Sequence, residues 1–121
     1  MFFTTFSNSG GTSNIFGGSI LFNILRIGKQ VSLVFNTTTT PSTTTTGIII
    51  SDTALPNRFR PQFNLYFIQR VIKQPGQINS GLFLIRTTGF MDIYSDVTEA
   101  TFPPAITGYG FSAGSINYNI V

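Results

Sequence analysis

From Gln62 to Lys73 apolar side chains recur at about every second position, and Pro56 and Pro61 stand just ahead of the run. A two-residue period is that of a strand, because successive side chains point to opposite faces. Proline has a fixed φ and no amide hydrogen, so Leu55–Pro61 cannot lie inside a central strand. The two features together predict a rigid lead-in, Leu-Pro-Asn-Arg-Phe-Arg-Pro, feeding a long strand. One face of that strand carries Phe63, Leu65, Phe67 and Val71, which belong in a core. The other carries Tyr66, Ile68 and Ile72, too apolar for simple exposure to water.

The same alternation recurs along the chain, and helical spacing is never sustained over more than about ten residues. Phe, Ile, Thr, Val and Tyr are plentiful while Ala and Glu are scarce, as befits pleated, half-buried surfaces. The pattern predicts a first strand at Phe2–Phe6, then a Gly/Ser/Asn-rich loop over Ser7–Ser19 anchored by Ile15 and Phe16. A strand over Ile20–Ile27 follows, with apolar residues on both faces. Gly28-Lys29 suits a type II′ hairpin turn, and Gln30–Asn36 returns with Val31, Leu33 and Phe35 inward. The threonine tract Thr37–Thr46, broken by Pro41, reads as an exposed polar connection. Gly47–Ser51 is a short strand. Pro75-Gly76 predicts a type II turn, and Gly81–Thr87 with Phe90–Tyr94 predicts a further hairpin. Thr98–Gly110 reads as a loop, and Ser115–Val121 as a closing strand with Ile116, Tyr118 and Ile120 inward. About eight strands with sandwich-like turn spacing point to one all-β domain over 1–121, an antiparallel jelly roll, with an immunoglobulin-like sandwich as the alternative.

Residue types restrict the chemistry more sharply than the fold does. The 121-residue chain has no histidine and no cysteine. An imidazole base, a thiol nucleophile and the usual nitrogen and sulfur metal ligands are therefore absent. The four acids are Asp52, Asp92, Asp96 and Glu99. Glycoside hydrolysis needs two carboxylates across a cleft, and Asp92 with Asp96 or Glu99 is the one pairing to weigh. No catalytic residue, metal site or cofactor is expected. The basic residues are scattered, with only Arg58 and Arg60 close together, which disfavours nucleic acid as a partner. Ile20–Ile27 is too short for a membrane span and contains Asn23 and Arg26.

Charged residues make up only 9% of the chain, against about a quarter in an average domain. Few charges keep molecules apart, and several strands are apolar on both sides. Burial of the surplus faces between copies of the chain is therefore expected. Arg58, Phe59 and Arg60 are expected to fix the lead-in or a subunit contact, and Tyr66 and Ile68 to lie at a subunit contact.

Leu55–Pro61 resembles an "LP-x-x-F-R-P" stretch ahead of a long strand in the C-terminal heads of trimeric viral fibres and phage receptor-binding tail proteins. Gly76–Tyr94 is similar to their next strand pair, Ser112–Val121 to their closing strand, and Ile27–Val31 to their early hairpin. The resemblance extends to C1q and tumour-necrosis-factor type jelly rolls. It implies a homotrimer on the virion surface that attaches to a host glycan or protein receptor, with residues 1–19 following a shaft. It assigns no receptor-binding residue. A purely structural trimerisation cap or minor capsid protein is the alternative, and a fibre-borne polysaccharide hydrolase the third reading.

Overall fold

The computed structural model describes residues 1–11, 13–40, 47–74, 76–102 and 108–120. Among them are eleven strands: β1 (Phe2–Thr4), β2 (Phe6–Asn8), β3 (Ile20–Ile27), β4 (Gln30–Phe35), β5 (Thr38–Thr39), β6 (Ile49–Ser51), β7 (Leu65–Gln74), β8 (Gln77–Ile85), β9 (Met91–Tyr94), β10 (Gly110–Phe111) and β11 (Gly114–Asn119). They exceed the expected eight because several are only two or three residues long. All pair antiparallel, in two sheets of order β1-β3-β4-β11 and β2-β6-β9-β8-β7-β10-β5.

The local turn chemistry works as expected. The β3–β4 hairpin has a two-residue turn, with Ile27 opposite Gln30. Gly28 takes φ 60° while Lys29 keeps a negative φ, the pattern of a type II′ turn that suits glycine at its first central position. Val31, Leu33 and Phe35 are buried, as are Ile116 and Tyr118 of β11. Ile15 and Phe16 pack against the core and anchor the loop before β3.

Four expectations need correction. The first strand is not continuous: β1 belongs to the four-stranded sheet and β2 to the seven-stranded one. The chain changes sheets at Thr5 while Phe2, Thr4, Phe6 and Asn8 all stay buried, because the alternate positions face the space between the sheets throughout. The threonine tract is not wholly a connection. Thr38–Thr39 pairs with β10, and Thr40 is buried, its hydroxyl accepting the Tyr109 amide at 3.0 Å. Residues 41–46 lie outside the described set. Phe63 is not in the core; it is 69% exposed and precedes β7. Gln69 occupies an inward position instead, donating to the Arg70 and Ser112 carbonyls. Finally, Gly110–Phe111, at the end of the expected loop, forms β10 between β7 and β5.

Phenylalanine builds the core. Phe35 of β4 stacks on Phe83 of β8 at 5.4 Å and meets Phe111 of β10 edge-on at 5.5 Å, joining the two sheets. Phe22 lies 5.5 Å from Phe35, and Phe6 and Phe16 extend the cluster. Such pairs contribute about 0.5–1.5 kcal/mol each beyond area burial. The seven-stranded sheet curls into a half-barrel that brings Phe6 of β2 against Phe111 of β10, and Asn8 hydrogen-bonds the Tyr109 hydroxyl. Within this sheet β6 lies beside β9, the far strand of the β7–β8–β9 meander, which is a Greek-key connection. The crossover from β6 to β7 contains the proline-bracketed lead-in.

Candidate functional site

Pro56 adopts φ −54°, ψ 150°, close to the only φ its ring permits. It starts a single 3₁₀ turn at Asn57–Phe59, closed by Phe59 N to the Pro56 carbonyl at 2.9 Å. Upstream, Leu55 is buried and its amide bonds the Gly89 carbonyl at 2.9 Å. Gly89 has φ 90°, and a Cβ there would press into Leu55 backbone and Arg60 Nε, so glycine is required for the close approach. Arg60 Nε donates to the Leu55 carbonyl at 2.7 Å, closing the segment on itself. Phe59 is 7% exposed, and its carbonyl accepts the Tyr118 hydroxyl at 2.6 Å. The lead-in is thus fastened to the β8–β9 turn at Leu55 and to β11 at Phe59. Burial pushes the Tyr118 phenol well above its usual range, because desolvation disfavours the charged form.

Arg58 differs from its neighbours. Its side chain is exposed, with the guanidinium 4.6 Å from the Phe59 ring centroid. Its carbonyl accepts Arg26 Nη1 at 2.6 Å, while Arg26 Nε donates to the Gly28 carbonyl at 2.7 Å. Ile24, Leu25, Arg26, Gly28, Arg58 and Phe59 line an open pocket of about 470 Å³ between the β3–β4 hairpin and the 3₁₀ turn. The sequence reading passed over Arg26. Its position was legible, since Ile20, Phe22, Ile24 and Arg26 share one face of β3, and an arginine ending such a row marks the edge of the core.

Tyr66 and Ile68 lie elsewhere, on the outer face of the seven-stranded sheet. They are 52% and 76% exposed. The register sets Tyr66 opposite Leu84, Ile68 opposite Leu82, and Ile72 opposite Ile78, with Tyr94 beside Leu82. One continuous face therefore carries seven large apolar or aromatic residues. The other sheet also turns apolar residues outward, with Phe3, Leu25, Ile27 and Val34 all exposed. The structure thus groups Arg58, Phe59 and Arg60 in one segment and places Tyr66 and Ile68 on a separate surface.

The acids are mostly engaged. Asp92 is 1% exposed and holds Arg86 through an ion pair, the only one among the described residues. The register explains this, because Asp92 lies opposite Leu84 on β8 and Ile50 on β6, in the middle of the sheet. Asp96 accepts the Thr98 hydroxyl and the Thr98 and Ala100 amides, which lower its pKa. Glu99 is exposed and pushes the Tyr66 phenol up. Among the described residues no helix is long and apolar enough to cross a membrane. No protein-family model matches the chain, and no curated protein sequence is similar to it.

Proposed function

We propose that the chain is the head domain of a viral fibre or phage tail protein. In this reading it is a jelly-roll sandwich that assembles as a homotrimer on the virion surface and attaches to a host glycan or protein receptor. The observation that carries the reading is the apolar outer face of β7 and β8, where Tyr66, Ile68 and Ile78 are exposed, Ile68 to 76%, beside the buried Leu84. A contiguous face of this kind on a sparsely charged domain marks an interaction surface. A standard interface takes roughly 800 Å² from each partner, and the chain exposes 6153 Å² in all. Packing of each copy on two neighbours is therefore compatible with its size. Cyclic closure is the common outcome for identical subunits.

Sedimentation equilibrium tests the assembly. A trimer at micromolar concentration is expected, and a monomer there sinks the proposal. Binding to host cells or to a glycan array tests the attachment. A purely structural cap is the second reading, favoured by the lead-in, whose Phe59 carbonyl and Arg60 side chain are tied internally. Host binding that loop substitutions abolish counts against that cap. For the hydrolase reading, Asp92 is a poor partner carboxylate, because Arg86 already holds it.

A further inference from the structure

We propose that the pocket between the β3–β4 hairpin and the Asn57–Phe59 turn binds an oxyanion, a carboxylate or phosphate group carried on a compact, partly apolar body. Seven basic residues against four acidic ones leave a net charge of +3. Arg26 and Arg58 line the pocket and Lys29 adjoins it. Arg26 and Arg58 thus bring two positive charges to one concave site. No carboxylate lines the pocket, and the only ion pair among the described residues is Arg86 with Asp92. Two guanidinium groups sharing a concave site repel one another, and a bound anion relieves that repulsion.

The geometry suits such a ligand. Arg26 is held by its bonds to the Gly28 and Arg58 carbonyls. A guanidinium has five N–H donors, so several of them remain for a ligand while the group itself is already oriented. Guanidinium forks match carboxylate and phosphate oxygens and make hydrogen bonds about twice as strong as neutral ones. Gly28 leaves open space where a Cβ would project. Ile24 and Phe59 supply an apolar wall for the body of the ligand. A volume of about 470 Å³ falls within the range of small-molecule sites, about 300–1,000 Å³. The inference does not depend on trimerisation.

Titration followed by backbone amide NMR tests it, with glucuronate, benzoate and inorganic phosphate set against glucose and benzyl alcohol. Saturable shifts confined to the amides of residues 26–30 and 57–60 are expected with the anions, and none with the neutral compounds. The tighter binder of the carboxylate and phosphate arms identifies the oxyanion. Arg58→Ala is expected to weaken binding about tenfold, and Arg70→Ala, on the other sheet, to leave it unchanged. Arg58 is the residue to vary because its exposed side chain only rests on the Phe59 ring, whereas the Arg26 side chain hydrogen-bonds two turn carbonyls. Equal responses to glucuronate and glucose overturn the proposal. So do shifts scattered over all basic residues and weakened alike by both variants.

Discussion

The Leu55–Pro61 lead-in and the outer face of β7–β9 stand in opposite relations to water. The lead-in leaves Asn57 and Arg58 exposed, yet it ties its backbone carbonyls and Arg60 inward. Arg60 bonds the Leu55 carbonyl, Tyr118 bonds the Phe59 carbonyl, and Leu55 is held by the Gly89 turn. The β7–β9 face is rich in apolar groups, yet it leaves Tyr66, Ile68 and Ile78 exposed. In this chain residue polarity is a poor guide to exposure. A crossover must satisfy its backbone groups where it passes over the core, so its polar side chains serve the fold. A sheet in a two-layer sandwich has one face to bury, so apolar residues on its other face stay open to water wherever no other surface covers them.

Substitutions test this contrast. Phe59→Ala removes the one aromatic ring that the lead-in buries, and urea unfolding should show a loss of about 3–5 kcal/mol. A change below about 1 kcal/mol would mean that the segment is not fastened as described. Arg60→Met keeps the aliphatic stem but removes the bond to Leu55, at an expected cost of about 1.5 kcal/mol. Tyr118→Phe leaves the Phe59 carbonyl without its partner and should cost about 1 kcal/mol.

Tyr118 also links stability to pH. Its folded-state pKa is raised above the ordinary 10.0 by burial, so the unfolded chain loses that proton first. Stability is therefore full below pH 10 and falls as pH rises above it. Tyr118→Phe should make that alkaline fall shallower in denaturation midpoints measured across the range. An unchanged slope would show that the phenol titrates freely. The smallest effect on folding is expected at Ile68→Asn, within about 0.5 kcal/mol. On the proposed trimer, the same variant should shift sedimentation toward monomer. Loss of folding with association intact would reverse the assignment of that face.

Much of the architecture was legible in local patterns. The β3–β4 hairpin followed from Gly28-Lys29 between alternating runs, and the inward set Val31, Leu33 and Phe35 from period two alone. The pairing of Phe59 with Tyr118 across 59 residues was not legible, nor was the burial of Asp92 against Arg86. Of the pocket, the proline-bracketed turn was visible and Arg26 was overlooked, although the inward row of β3 pointed to it. Phe63 was misplaced because alternation shows which residues share a face and does not show where pairing begins.

Local sequence dictates that this chain forms strands, where most of its tight turns fall, and which side chains share a face. Those properties depend on backbone sterics and side-chain period over a few residues. Long-range packing dictates that the N-terminal strand divides between two sheets, that the larger sheet curls until Phe6 meets Phe111, and that Arg26 and Arg58 share one pocket. These depend on contacts between residues far apart in sequence, where many pairings satisfy the same local pattern and close packing of the aromatic core selects among them.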